Sequence, residues 1–221
     1  MKKEDFIIVA IDGGAASGKS STSKILSDRL GLLYVNSGSH YRALTWAILQ
    51  RGIPPHRVDK IEAFLKFLEV DYKIKGREAH MTLGACVPAE EIRSPEVNQA
   101  VSTIAAIRAV RKFLLPRQRS YVEVARQHAF DGLIMEGRDV GTVIFPEADF
   151  RFFLLADEAE RTRRRQWEGQ VDSIRERDRL DKERKTAPLI HSEGAIKVDT
   201  TPLTLQEVAD KLTGIILAGK K

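Results

Sequence analysis

The segment most specific for chemistry is the glycine-rich stretch Gly13–Ser20, which fits the pattern G-x-x-x-x-G-K-[ST]. It follows the apolar run Phe6–Ile11 and precedes a segment with helical character that begins at Lys19. Glycines let backbone N–H groups close around phosphate oxygens, and a helix N-terminus adds partial positive charge there. In this pattern the lysine reaches the β- and γ-phosphates, and the Ser20 hydroxyl ligates Mg²⁺. The sequence therefore predicts a nucleoside triphosphate site, and the alternative is a glycine-rich turn without a ligand.

Arginines follow two of the predicted buried strands. Arg42 comes after the second strand and Arg138 after the third, and open parallel sheets bind ligands at the carboxyl ends of their strands. Transfer of a phosphoryl group to a small anionic acceptor needs such cations, together with a mobile cover that excludes water. A third source of cations is the charged run Arg175–Arg184. Taken alone, that run is more typical of a solvated helix with i,i+4 ion pairs, and Arg161–Arg165 has the same ambiguity.

The elements that must position these groups alternate between strands and helices. Continuous apolar runs predict buried parallel strands at Phe6–Ile11, Leu32–Val35, Leu133–Glu136, Phe150–Leu155 and Ile196–Val198. Helical patterns occupy Lys19–Leu30, His40–Arg51, Ile61–Leu68, Pro95–Ala129 with a break or kink at Pro116, Glu158–Glu168, Val171–Lys185 and Thr204–Leu217. This order predicts an α/β fold with a parallel sheet and helices on both faces.

One segment does not follow this alternation. Val70–Leu83 alternates polar and apolar residues around Lys75 and Gly76, which predicts a small hairpin. Because its period differs from that of the buried runs, we expect it outside the main sheet. Residues 56–129 contribute no buried central strand and are interpreted as an inserted subdomain.

Composition limits the class of protein. The chain has 221 residues, 43% of them hydrophobic, which predicts one large domain with a full core. The net charge of +5 favours anionic partners, although 7% aromatic residues give weak support for single-stranded nucleic acid binding. The single cysteine, Cys86, excludes an internal disulfide and a zinc site built from paired cysteines, and it fits a reducing compartment. The apolar run near the N-terminus is too short for a signal peptide or a membrane span, so we expect a cytoplasmic protein.

Several blocks carry a resemblance to a known family. They are Ile11–Ser21, Asn36–Arg42, Glu91–Val97, Gly137–Pro146, the run from Arg175 to Leu189, and Asp199-Thr-Thr. The phosphate loop is generic, whereas Glu91–Val97 and Gly137–Pro146 are much more specific. In order and spacing, from residue 7 to about residue 212, the chain resembles the bacterial cytidylate kinases, which are nucleoside monophosphate kinases.

The resemblance implies a five-stranded parallel sheet with helices on both faces. The core would comprise residues 1–55, 130–168 and 187–221, with a nucleoside monophosphate-binding insertion at 56–129 and a lid at 169–186. The implied ATP-binding residues are Gly13, Gly14, Ala15, Ala16, Ser17, Gly18, Lys19, Ser20, Ser21, Asp199 and Thr200, with Ser20 on Mg²⁺. Those for CMP are Ser37, Arg42, Ser102, Arg111, Arg138, Asp139, Arg177 and Asp181, and Lys19, Arg138, Arg177 and Arg184 serve catalysis.

The function expected from the resemblance is transfer of the γ-phosphoryl group of Mg-ATP to CMP or dCMP by a monomer that binds neither nucleic acid nor membranes. Asp139 can accept a hydrogen bond from the exocyclic amine of cytosine, a donor that uracil lacks. The alternatives are a kinase that prefers UMP and an NTP-regulated protein that binds nucleic acid. Three departures from the family stand at Gly14, Ser39-His40 and Leu180, and the last leaves one fewer cation in the lid.

Overall fold

Seven strands form one sheet in the computed structural model, which describes residues 6–167, 179–180, 183–184 and 186–219. They are β1 (Ile7–Gly13), β2 (Leu32–Asn36), β3 (Val70–Lys75), β4 (Glu78–Leu83), β5 (Gly132–Gly137), β6 (Phe150–Leu155) and β7 (Ile196–Asp199). Their spatial order is β3-β4-β2-β5-β1-β6-β7, and within it only β3 is antiparallel to its neighbour. The register places Ile11 of β1 beside Glu136 of β5, so the ends of these strands meet at one edge of the sheet.

Helices connect and cover the strands. They are α1 (Lys19–Leu30), α2 (Ser37–Gln50), α3 (Val58–Leu65), α4 (Pro95–Ala106), α5 (Arg108–Gln127), α6 (Glu158–Trp167) and α7 (Leu205–Gly219). A 3₁₀ turn at Glu91–Arg93 precedes α4, and a π-helical turn at Val140–Ile144 follows β5. None of the described helices is both long and apolar enough to cross a membrane. The helix predicted for residues 171–185 falls mostly outside the described residues.

Apolar side chains cover the sheet on both faces. On one face, Leu26 of α1 and Leu212 of α7 pack against Val9 of β1. On the other face, Val124 of α5 packs against Leu33 of β2. Strands buried on both faces read as continuous apolar runs, which is why the sequence reveals them.

A third apolar cluster lies among α2, α3, α4, the start of α5 and the end of β4. Its centre includes Leu44, Ile48, Ile61, Ile104 and Leu114, none of which is exposed. Burying a leucine or isoleucine side chain contributes about 1.5–3 kcal/mol, so this cluster fixes the helices that carry Arg42 and Arg111.

The β3-β4 hairpin is part of the main sheet, and the expectation that it lies outside, with five strands in total, is wrong. β4 runs parallel to β2, with Tyr34 beside Glu78 and Val35 beside Ala79. Ala79 is buried against the α5 face of the sheet, whereas alternate residues of β3 are exposed. A strand at a sheet edge is only half covered, so it has the same alternating pattern as a separate hairpin.

The helical stretch after Pro95 is interrupted at Ile107, not at Pro116 as predicted. Ile107 has φ −70° and ψ 121°, an extended conformation that separates α4 from α5. Pro116 lies inside α5, where its ring removes one backbone donor. The backbone carbonyl that loses this donor is that of Lys112, one turn earlier, and the Arg117 guanidinium donates to the neighbouring Phe113 carbonyl at 2.7 Å. The helix continues across Pro116, with Leu114 and Tyr121 buried in apolar clusters before and after the proline.

The start of α2 also differs from the prediction, at Ser37 instead of His40. The Asn36 side chain accepts a hydrogen bond from the Ser39 N–H at 2.9 Å and so caps the helix. α3 (Val58–Leu65) likewise lies three residues before the predicted Ile61–Leu68, and the other strands and described helices agree with the predicted segments to within two residues.

Candidate active site

The phosphate loop joins β1 to α1, as its sequence predicts. Gly13 lies so close to β6 that a Cβ atom there would overlap the Leu154 carbonyl oxygen. Gly18, directly before α1, has φ +88°, a value that favours glycine. Ala16 adopts φ +55° without being glycine. The loop is therefore held in a conformation that only small residues allow, with its backbone open to a ligand.

Lys19 crosses this loop. Its side chain is buried, and Nζ donates to the Gly14 carbonyl at 2.5 Å and to Ser17 Oγ at 3.4 Å. These contacts hold a positive charge at the centre of the loop, where the β- and γ-phosphates of a nucleotide would lie in this motif.

A cavity of about 310 Å³ extends from the phosphate loop to the predicted acceptor residues. Its lining includes seven of the predicted acceptor or catalytic side chains, namely Lys19, Ser37, Arg42, Ser102, Arg138, Asp139 and Arg184. They come from α1, α2, α4, the residues directly after β5 and the segment after residue 180. Arg177 and Asp181 lie outside the described residues.

Arg42 has a fixed position in this cavity. Its Nη1 donates to the Ile92 carbonyl at 2.9 Å and to Asn98 Oδ1 at 2.7 Å. Ile92 belongs to the 3₁₀ turn and Asn98 to α4, so the Glu91–Val97 block and the residue directly after it hold the arginine in place.

Arg111 and Asp139 form a buried ion pair beside the same cavity. The two side chains are 8% and 4% exposed, respectively. Arg111 also donates to the Ala105 carbonyl at 3.0 Å and lies over the Tyr41 ring, 5.3 Å from its centroid. A carboxylate and a guanidinium fixed side by side present an acceptor and donors in a set geometry.

Glu136, to which the sequence analysis assigned no role, accepts hydrogen bonds from several residues of this site. Its Oε1 accepts hydrogen bonds from Ser20 Oγ at 2.5 Å, Asn36 Nδ2 at 2.6 Å and the Tyr34 hydroxyl at 2.8 Å. Burial, and then the nearby Glu136 charge, raise the pKa of the Tyr34 hydroxyl far above its usual value. The sequence signal that could have identified Glu136 is an acidic residue at the end of a buried apolar run, directly before Gly137-Arg138-Asp139.

The oxygen atoms of Ser20 and Glu136 suit a hard cation such as Mg²⁺, which prefers oxygen ligands and keeps several waters. In the described ranges no three His, Cys, Asp or Glu side chains gather as a metal site. The two residues therefore fit an ion that takes its other ligands from phosphates and water.

A second cavity, of about 420 Å³, lies on the other side of the phosphate loop. Ser17 and Gly18 line both cavities, and Leu203, Val208 and Trp167 provide apolar surface in the second. An apolar pocket that shares the phosphate loop can hold the base of a nucleotide whose phosphates lie on that loop.

Arg164 joins the walls of this second cavity and was not among the predicted site residues. It donates to the Thr200 carbonyl at 2.7 Å, to Thr200 Oγ1 at 3.1 Å and to Glu160 at 2.8 Å. Thr200 in turn donates to the Ser17 carbonyl at 3.2 Å. Asp199, by contrast, is exposed, accepts from Thr201 and is not among the lining residues of either cavity. Its contact with ATP stays a prediction.

Comparison with known proteins agrees with this geometry. A family model described as "Cytidylate kinase" matches residues 9–217. The cytidylate kinase of Bacillus pumilus (strain SAFR-032) is 37% identical over 223 residues, with 96% of each chain covered. That of Acholeplasma laidlawii (strain PG-8A) is 38% identical with the same coverage. The crystal structure of an uncharacterized protein from Eubacterium ventriosum ATCC 27560 is similar in fold alone, with a TM-score of 0.50 at 15% identity over 96% of this chain and 98% of that chain.

The matched region includes the phosphate loop, both cavities and the buried Arg111–Asp139 pair. Because the family model and the identity to curated relatives both extend over nearly the whole sequence, this chain belongs to the cytidylate kinase family.

Proposed function

We propose that this chain transfers the γ-phosphoryl group of ATP to CMP or dCMP, giving ADP and CDP or dCDP. Family membership supports the reaction. The observation that carries the proposal is the buried Arg111–Asp139 pair, whose carboxylate lines the same cavity as the phosphate loop. One cavity can therefore hold a base, its phosphate and the donor phosphates.

On the donor side, the backbone amides of residues 13–20 and Lys19 bind the β- and γ-phosphates. The base of ATP occupies the second cavity, between Arg164 and the apolar side chains of Leu203 and Val208. Ser20 and Glu136 would hold the Mg²⁺ that accompanies ATP, and the bound ion would neutralise phosphate charge.

On the acceptor side, Asp139 accepts a hydrogen bond from the cytosine amine, and Arg111 and Ser102 donate to the carbonyl and ring nitrogen. Ser37 lies at the start of α2, where its hydroxyl donates to the Glu136 carbonyl at 2.8 Å. In UMP a carbonyl replaces the amine, so the carbonyl oxygen of uracil would face the Asp139 carboxylate, and both groups are acceptors. The pair thus favours cytosine over uracil.

The chemical step needs no covalent enzyme intermediate. An oxygen of the CMP phosphate attacks the γ-phosphorus of ATP, the bond to the bridging oxygen breaks, and ADP leaves with that electron pair. Arg42 and Arg138 hold the acceptor phosphate, and Lys19 and Arg184 stabilise the charge of the transferring group. The proposed lid, residues 169–186, supplies Arg177 and Asp181 and excludes water.

We also propose that residues 56–129 form the acceptor-binding subdomain and that the chain acts as a monomer. The third apolar cluster supports the first of these, because it joins the helices of this segment to α2, which carries Arg42.

The experiment that tests the function measures ADP release from Mg-ATP with CMP, dCMP, UMP, AMP, GMP and dTMP as separate acceptors. We expect CMP and dCMP to be phosphorylated far faster than the others, and chelation of Mg²⁺ to abolish the reaction. UMP turnover equal to that of CMP would refute the cytosine-specific assignment. Salt-sensitive RNA binding without acceptor-dependent ADP release would instead indicate a protein that binds nucleic acid.

A further inference from the structure

Asp12 links the phosphate loop to the segment that reads the acceptor base. It is 4% exposed and directly precedes Gly13 at the end of β1. Its Oδ1 accepts from the Val140 N–H at 2.8 Å, and its Oδ2 accepts from the Gly141 N–H at 2.7 Å. These amides directly follow Asp139, the proposed acceptor for the cytosine amine.

The two bonds require an aspartate. Val140 and Gly141 begin the π-helical turn, so their N–H groups lack partners within that turn. An ionised carboxylate is an acceptor at both oxygens, whereas an asparagine amide would turn a donor toward one of the two N–H groups. At Gly141 a Cβ would lie 3.3 Å from Asp12 Oδ2 and 3.5 Å from the Arg151 side chain, so the glycine permits this close approach.

We infer that Asp12 is a positioning residue for base recognition: by holding the amides after Asp139, it fixes that carboxylate relative to the phosphate loop. The inference rests on the proposed function. Asp12 does not line the cavity, so it acts through Asp139 and not through contact with substrate. A shift of a few tenths of an ångström in the loop after β5 would misalign Asp139 with the base. Lys19 and the amides of the phosphate loop would remain in place.

Charged groups around Asp12 act on this arrangement in opposite directions. Burial raises its pKa to about 6, the two amides and Lys19 act to lower it, and Asp139 acts to raise it. The carboxylate is therefore held close to a like charge, Asp139, which in turn is paired with Arg111. Repulsion between the Asp12 and Asp139 carboxylates does not favour this position of the loop after β5. Loss of the two hydrogen bonds that Asp12 accepts would therefore release that loop.

The test compares Asp12→Asn with Asp149→Asn. Asp149 makes the same type of bond to the same strand, because its Oδ2 accepts from the Ile8 N–H at 2.7 Å, but it is exposed and does not line the cavity around Asp139.

Steady-state kinetics with CMP, UMP and ATP are measured for both variants after circular dichroism and thermal melting establish the folded fraction. For Asp12→Asn we expect the ratio of kcat/KM for CMP over UMP to fall about 10-fold or more, as loss of a buried hydrogen bond predicts, with the KM for ATP nearly unchanged. Asp149→Asn should leave all three quantities at wild-type values.

A second variant, Gly141→Ala, keeps the inference testable if Asp12→Asn does not fold. The added methyl presses on Asp12 Oδ2 without removing either amide, and we expect a smaller fall in the same ratio. An unchanged CMP-to-UMP ratio in a folded variant, or equal increases in the KM for CMP and for ATP, would overturn the inference. Absence of CMP-dependent ADP release in the wild-type chain would refute the proposed function itself, which separates the two failures.

Discussion

Burial of His40 on α2 should make the stability of this protein depend on pH in a measurable way. His40 is 1% exposed and stacks on Tyr121, with ring centroids 5.4 Å apart and planes inclined by 17°. Among the described residues, its Nε2 has no hydrogen-bond partner. Burial, with a smaller effect from His80, lowers the pKa of His40 from 6.5 to about 4. The folded protein therefore keeps this ring neutral at pH values where the unfolded chain protonates it.

The magnitude follows from linkage. A lowered pKa means that the stability is present above pH 6.5 and is lost as pH falls toward 4. The loss is about 2 kcal/mol at pH 5 and about 3 kcal/mol at pH 4. Asp12 acts in the opposite direction, because its raised pKa of about 6 makes folding more favourable as pH falls. Between pH 7 and pH 5 that gain is about 1 kcal/mol, so the two groups partly offset each other in the wild-type chain.

His40→Phe separates the two contributions, since phenylalanine keeps the stack on Tyr121 but cannot bind a proton. We expect the free energy of unfolding of the variant minus that of the wild type to increase by about 2 kcal/mol from pH 7 to pH 5. Urea unfolding at pH 5, 6 and 7, followed by circular dichroism, measures this difference. His56→Phe, at an exposed histidine, is the control and should show no such increase. A difference that stays constant with pH for His40→Phe would show that His40 does not remain neutral on folding, and the burial argument would be wrong.

Four further predictions concern the active site and its loop. Lys19→Ala should lower kcat about 1000-fold or more in a folded variant, because it removes charge that counts most in the transition state, and a near-wild-type kcat in single-turnover assays would contradict the mechanism. Asp139→Asn should reduce kcat/KM for CMP far more than for UMP; an unchanged preference would mean that the base is read elsewhere. Arg184→Ala should lower kcat more than it raises the KM for CMP, and the reverse pattern in steady-state kinetics would assign it to ground-state binding. Gly13→Ala should lower the melting temperature, whereas Gly214→Ala, inside α7 with open space at its Cβ position, should raise it slightly; equal shifts would refute the close packing of the loop on β6.

The elements that the sequence predicts well are those whose signals are local. The pattern Gly13–Ser20 encodes its own strand, turn and helix, and the apolar runs of β1, β5 and β6 reflect burial on both faces. The predicted meeting of Arg42 and Arg138 in one cavity depended on a general property of parallel sheets, whose carboxyl ends share an edge, whereas Asp139 was expected there from the family resemblance.

Other features depend on contacts between distant parts of the chain. Pairing of Tyr34 with Glu78 places the hairpin in the sheet, yet a half-covered edge strand and a separate hairpin have the same residue pattern. Glu136 has three side-chain donors because the end of β2 and the start of α1 lie beside the end of β5, and no spacing in the sequence marks that convergence. Arg164 was hidden within a run of arginines, only some of which face the second cavity.

The way the sheet ends has a consequence for the behaviour of the protein at high concentration. The β3 edge presents Asp71, Lys73 and Lys75 at its exposed positions. The opposite edge, β7, spans only Ile196–Asp199 and exposes Lys197. A strand from another molecule would have to pair with β3 beside these charges, or with β7, which is too short to hold it. Fibril-like growth by strand addition at either edge of the sheet is therefore disfavoured. Without the hairpin, the edge strand would be β2, which is apolar and almost wholly buried. The hairpin thus gives the sheet a charged edge that resists aggregation.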